Sequence, residues 1–370
     1  MARANARKDA SRRVRLDEVR AAFELGEAVY ARQNSPLYAT LCREAREDEA
    51  VLALAAHARE GQPPAFHLLS AVHFLLHDYP DDDLAPFFGV GVDALAPPEG
   101  ALGPFRAFCA RRADEIIAII SKRTIQSTSV ERAAFVLPPL DRLSRQVEAP
   151  LHLIEVGCSA GLLLQFDRYA YDFGAHGKVG DGAIELASTM LGPHARAPAG
   201  IPKIAARVGI DLQPIDLADA DERRWIAALI FPEWRAQGRN IARALDLAAA
   251  SPPRVLAGSA NDILPGLLAE TPDPVCVFHS NCLYYFPPEA QRRFDEILIE
   301  AGKTRVVHRI GVETPPDYAL QARRAAETGA KIATGEVHTE VTYTRYSGGK
   351  FETELWGRCH RYGAWFEWLV

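Results

Sequence analysis

From Leu16 to about Arg123, apolar residues recur at three- and four-residue spacing, as in LDEVRAAFELGEAVYARQ and FRAFCARRADEIIAIISKR, and strand-like alternation is almost absent. That period puts them on one face of successive helices. Pro63-Pro64, Pro80 followed by Asp81 to Asp83, and Pro97-Pro98 cut the stretch into helices joined by turns, so residues 1–125 are expected to form an α-helical domain. A further helix from about Val130 to Val147, interrupted near Pro138-Pro139, leads to Pro150, where the pattern changes. Short apolar runs now alternate with helical stretches: LHLIEVG, RVGIDL, RVLAG, VCVFHS and TRVVHRI. Such a succession writes a parallel sheet with helices on both faces. Near the end, EVHTEVTYTRY and FETELWGRCHRYGAWFEWL, joined by Ser347-Gly348-Gly349-Lys350, read as an antiparallel hairpin closing the sheet. The expected class is therefore α/β: a doubly wound, mostly parallel sheet over 126–370 with a C-terminal antiparallel hairpin, preceded by the helical domain.

Composition narrows the partners. A formal charge of -6, from 42 Lys+Arg against 48 Asp+Glu, argues against a nucleic-acid backbone as the main partner. The six cysteines form no CxxC pair, so neither a zinc knuckle nor a redox pair is encoded, and they read as reduced thiols of a cytoplasmic protein. The basic N-terminus (Arg3, Arg7, Lys8, Arg12, Arg13, Arg15) has no apolar core behind it and reads as a solvated tail rather than a secretory signal. No apolar run approaches the roughly 20 residues a membrane-spanning helix requires, so no membrane partner is expected. His67, His73 and His77 have helical spacing but no accompanying acid or cysteine, so they read as a helix face and no metal site is assigned.

The apolar run Leu151 to Val156 ends in Glu155-Val-Gly157-Cys-Ser159-Ala-Gly161 and the start of a helix, the form of a cofactor-binding turn at a strand's carboxyl end. A dinucleotide turn needs GxGxxG, whereas Ser159 stands where the middle glycine belongs. The ExGxxxG spacing resembles the first motif of class I S-adenosylmethionine-dependent methyltransferases, and that resemblance implies a Rossmann-like methyltransferase sheet with Glu155, Gly157, Ser159 and Gly161 around the methionine part and ribose. It further implies an acid for the ribose hydroxyls, supplied by Asp211 in Gly209-Ile-Asp211; the alternative is that Asp211 caps the helix after Pro214. Asp211 follows Gly161 by 50 residues, against the usual roughly 20. An insertion at about 171–204, read as a hairpin flap carrying Asp172 and Asp181, fills the gap. Asp262 in the next unit is the candidate for the adenine amino group, or else a helix cap. At the end of the fourth strand His279 and Ser280 reach the cofactor side, His279 being the candidate base because imidazole titrates near neutrality. Tyr284 is the second catalytic candidate, Tyr284 and Tyr285 are expected to line the acceptor pocket, and His308 ends the fifth strand. No GxSxG elbow supports serine nucleophile chemistry.

The chain also resembles the bacterial family catalogued as domain of unknown function 2332, through Gln62-Pro63-Pro64, Ser35-Pro36-Leu37-Tyr38, Glu155 to Gly161, Asp167-Arg168-Tyr169, Gly209 to Asp216, Phe278-His279-Ser280, Gly357-Arg-Cys-His and Glu367-Trp368-Leu369. Where that family tends to read Gly-Leu-Asn after the turn, Leu163 stands here, and Gln126-Ser127-Thr128-Ser129 replaces a Gln-Thr-Asn-Glu segment. The expected function is methyl transfer from S-adenosylmethionine to a small or medium-sized acceptor. The alternative is a non-catalytic protein holding S-adenosylmethionine or another nucleoside, with the helical domain serving a partner protein.

Overall fold

The computed structural model describes residues 2–126, 128–314 and 338–370, with side chains from Arg15 onward. Ser127, Glu336 and Val337, and the side chains of Arg3 to Arg13, lie outside the described residues. In chain order the helices are α1 (Ala2–Arg32), α2 (Pro36–Ala45), α3 (Glu49–Ala55), α4 (Pro64–Leu76), α5 (Leu102–Arg111), α6 (Ala113–Ile120), α7 (Ala133–Val147), α8 (Ala220–Ala228), α9 (Arg235–Ala250), α10 (Ala260–Glu270) and α11 (Pro288–Ala301). Among the described residues no helix is long and apolar enough to cross a membrane. The chain divides into two compact units, residues 1–127 with 220–242, and residues 128–219 with 243–370.

The first unit is helical. Tyr38, fully buried, meets Phe231 edge to face with ring centroids 5.3 Å apart, and Tyr30 joins both. The Glu233 carboxylate accepts from the Ser35 hydroxyl at 2.9 Å and the Leu37 amide at 2.7 Å, which ties 220–242 to the start of α2. His67 is buried with neither ring nitrogen bonded among the described residues, while His73 Nδ1 lies 3.2 Å from the Ala228 carbonyl oxygen. Burial pushes their pKa values down to about 4 and about 3. Among the described residues no group of three ligating side chains gathers around them.

The second unit is built on strands β1 (Leu151–Val156), β2 (Ala170–Asp172), β3 (Lys178–Val179), β4 (Glu185–Ala187), β5 (Thr189–Leu191), β6 (Ile204–Asp211), β7 (Val255–Ala257), β8 (Val275–Ser280), β9 (Val307–Glu313), β10 (His338–Ser347), β11 (Lys350–His360) and β12 (Trp365–Trp368). Nine form one sheet in the order β5-β12-β11-β10-β9-β8-β1-β6-β7. From β7 to β9 every pairing is parallel; β9 to β12 pair antiparallel, and β5 adds parallel to β12. The class is mixed α/β with a large, mostly parallel sheet. Strand order reverses at β1: β6 and β7 follow on one side, β8 and β9 on the other. One face carries the apolar core of Ile154, Val156, Ile210, Val277, Leu264, Phe294 and Leu298, each such burial stabilising by about 1.5–3 kcal/mol. Alternate residues of β1, Leu153 and Glu155, point to the opposite face.

Three local expectations change. Helix α7 runs uninterrupted through Pro138 and Pro139; with every residue from Ala133 to Asp141 buried, packing offsets the two lost amide donors. The glycine turn opens not into an α-helix but into a 3-10 segment, Leu163–Arg168, kinked at Gln165. The cause is local: the Tyr169 hydroxyl donates to the Leu162 carbonyl at 2.9 Å and the Tyr171 hydroxyl to the Phe166 carbonyl at 2.6 Å, so side chains take acceptors a longer helix would have used. Finally, β9 ends at Glu313, and His308 is its second residue, buried with Nδ1 2.9 Å from the Tyr343 hydroxyl. The segment 171–204 carries β3 and β4, which with β2 form a separate three-stranded sheet, and then β5 at the far edge of the large one. Asp172 accepts from the Gly174 amide and pairs with Lys178 at 3.3 Å, holding its own turn.

Candidate functional site

The carboxyl ends of β1, β6 and β8 meet where strand order reverses, the place where open α/β sheets leave a crevice. Gly157 and Gly161 have φ of 75° and 67°, and Ser159 joins them at 52°. A β-carbon on Gly157 would fall 2.6 Å from Cys282 Cβ, and one on Gly161 2.6 Å from Pro253 Cγ. These glycines therefore make room for the protein's own neighbouring loops as well as for the bend. The Gly157 amide donates to the Ile210 carbonyl and the Gly161 amide to that of Cys158. With these donors spent internally, the turn is not a phosphate cradle.

Asp211 ends β6 beside this turn. Its Oδ2 accepts from the Ser159 amide at 2.7 Å and its Oδ1 from the Gln213 amide at 2.9 Å. It thus fastens two loops together, and each oxygen keeps a further lone pair. Glu155 is 2% exposed, with Oε2 lacking a partner among the described residues. Burial and the Asp211 charge push its pKa well above the usual carboxylate range, against the opposing pull of Arg132 and a bond from the Leu164 amide. Asp262 lies exposed in the first turn of α10, where it suits the helix dipole; its neighbour Asn261 donates to the Ala290 carbonyl at 2.9 Å.

His279, 1% exposed, is fixed at both nitrogens: Nδ1 lies 2.7 Å from Glu313 Oε1, and Arg309 Nε donates to Nε2 at 2.9 Å. Only the neutral ring with its proton on Nδ1 satisfies both. Burial, then Arg309, lowers its pKa, while Glu313 opposes them. Glu313 Oε1 also accepts from the amides of Cys282 and Leu283, so this carboxylate organises the loop after β8. Gly311, paired with His279 across the sheet, permits the arrangement: a β-carbon there would lie 2.9 Å from His279 Cε1. Ligating atoms of His279, Cys282 and Glu313 fall within 4.8 Å of one another. A cation does not fit them, because the guanidinium of Arg309 occupies the imidazole lone pair. Burial also holds the Cys282 thiol protonated, its pKa pushed well up. Ser280 is buried, with the Asn281 amide group 3.4 Å from its hydroxyl.

Beyond β8, Tyr284 and Tyr285 are 44% and 71% exposed, with ring centroids 4.1 Å apart. The structure thus brings Glu155, the 157–161 turn and Asp211 together, sets His279 between Glu313 and Arg309, and leaves Ser280 buried against Asn281. Residues that pattern reading missed are Arg132, Arg309, Glu313 and Arg361; among them only Glu313 had a local signal, the continuation of Val312 beyond Gly311. A separate groove of ≈ 930 Å³, lined by Leu268, Arg293, Glu296 and Arg305 among others, lies on α10, α11 and the loop entering β9, at the opposite ends of the strands.

A family model described as "Uncharacterized protein conserved in bacteria (DUF2332)" matches residues 20–368. The chain belongs to that family. No curated protein and no solved structure matches it. In this DUF2332 chain the match runs from α1 to the end of β12 and so takes in the whole crevice.

Proposed function

We propose that this protein is a cytoplasmic S-adenosylmethionine-dependent methyltransferase for a small acceptor, its sheet a Rossmann-like methyltransferase sheet. The observation that carries the reading is the juxtaposition of Ser159 and Asp211, joined at 2.7 Å where strand order reverses. An ExGxxxG turn beside an acid on the adjacent strand suits a ribose diol, whose two hydroxyls donate to one carboxylate. Glu155, Gly157, Ser159, Gly161 and Asp211 form the seat, with Asp262 toward the base. Methyl transfer is an in-line displacement at a sulfonium methyl, so alignment and exclusion of water supply most of the acceleration. His279, with its lone pair engaged by Arg309, serves this reading as support for the loop carrying Tyr284 rather than as the base.

The same engagement of His279 favours a second reading, a nucleoside-binding protein without transfer. Calorimetry with S-adenosylmethionine, its demethylated product and nicotinamide dinucleotides separates these. Binding of either sulfur nucleoside supports the seat, and methylation of an acceptor then decides for transfer. A folded sample that binds neither, or that prefers a dinucleotide, overturns the proposal.

A further inference from the structure

Two arginines and three tyrosines converge beside the crevice, all within the second unit. Arg132, 6% exposed, ends the short 3-10 turn Val130–Arg132; Arg361 and Tyr362 occupy the turn between β11 and β12. Gly363, at φ 77°, lets those turns close, since a β-carbon there would collide with the Glu131 carbonyl oxygen. The Tyr362 ring then lies near both guanidinium carbons, at 5.7 Å from Arg132 and 5.9 Å from Arg361. Arg361 Nη2 reaches the Tyr284 hydroxyl at 3.4 Å, whereas its Nε is buried with no hydrogen-bond partner among the described residues. That donor can still take an oxygen acceptor. Both arginines act electrostatically on Tyr284 and on each other, so the cluster holds two like charges in a half-dry setting. Next to these charges stand the paired rings of Tyr284 and Tyr285, the latter exposed enough to stack on a flat surface.

We infer that this cluster binds a planar molecule carrying an oxyanion, a carboxylate or phosphate on a flat ring, with the anion on Arg361 and the ring on Tyr284 and Tyr285. Resting on the transferase reading, the inference assigns the acceptor class of that same site. Guanidinium groups hold such oxyanions in paired, charge-assisted hydrogen bonds, which a neutral amide of the same shape cannot accept.

The test is calorimetry of the full-length protein with benzoate, phenyl phosphate and benzamide, each with and without saturating demethylated product of S-adenosylmethionine. Benzoate or phenyl phosphate should bind at least tenfold more tightly than benzamide. Arg361→Gln should abolish that preference, and Tyr285→Ala should weaken all three probes alike. Melting temperature and circular dichroism confirm that both variants fold; if Arg361→Gln does not, Arg361→Lys replaces it, and it should keep binding but lose most of the preference. Equal binding of benzoate, phenyl phosphate and benzamide, or unchanged preference in the Arg361 variant, overturns the inference. Nucleoside binding without binding of either anion defeats this inference alone; anion binding without nucleoside binding defeats the transferase reading and leaves the anion site standing.

Discussion

The two sides of β1 solve the burial of charge differently. On the β8–β9 side, His279, Glu313, Arg309 and Asp295 form a chain of side chains bonded to one another, with Arg309 donating to Asp295 at 2.7 Å beyond its bond to the imidazole; among the described residues only Glu313 Oε2 in this chain is buried without a partner. On the β6 side, among the described residues, Asp211 accepts from the backbone amides of Ser159 and Gln213, and Glu155 keeps a buried oxygen without a partner. Charged side chains paired with one another rigidify a fold, whereas the half-buried carboxylate of Asp211, held by backbone amides beside a strained turn, has acceptor capacity left for a ligand. Under the proposed function, the first side is scaffold and the second binds.

The largest effect that would sharpen the contrast is on stability. His279→Ala leaves the carboxylate of Glu313 and the guanidinium of Arg309 without their shared partner, and should cost about 3 kcal/mol in urea unfolding. Nucleoside affinity should change far less, and a variant with wild-type stability would break the scaffold assignment. Next, Gly157→Ala must hold φ near 75° while meeting Cys282 at 2.6 Å; a loss of about 2 kcal/mol is expected from the same measurement. Asp211→Ala reverses the pattern: nucleoside affinity should fall at least tenfold, which is about 1.4 kcal/mol. Unchanged affinity would move the ribose acid elsewhere.

The smallest effect is one of pH. Because the folded pKa of Glu155 is raised, its ionisation costs nothing below the ordinary carboxylate value of 4.5 and progressively destabilises the fold as pH rises above it. Glu155→Gln should therefore melt higher than wild type at pH 8, with the difference fading toward pH 4. The helical unit behaves oppositely. The depressed values of His67 and His73, about 4 and about 3, mean that its stability is full above the ordinary 6.5 and declines as pH falls through 6.5 toward them. Thermal melts from pH 8 to pH 4, with His67→Phe as the control that flattens the slope, check this.

Much of this was legible in the chain because the relevant signals are local. An apolar run closed by Gly157 and Gly161 announces β1 and its turn, and Gly209-Ile-Asp211 announces the acid next to it. Arg309, Arg132 and Arg361 were not legible, since a charged residue within a strand or turn reads as solvent-facing until the register is known. The pairing of His279 with Gly311 is such a register fact: one residue of slip would put Arg309 on the other face. The 3-10 segment after the turn escaped for a related reason, because the hydroxyls of Tyr169 and Tyr171 that terminate it come back from the following strand.

The most direct test of the division between the two sides is amide hydrogen exchange with and without the demethylated product of S-adenosylmethionine. Added nucleoside should slow exchange in peptides covering 157–161 and 211–213 and leave those covering 307–313 unchanged. Protection confined to 279–286 and 307–313, or absent throughout, would contradict it.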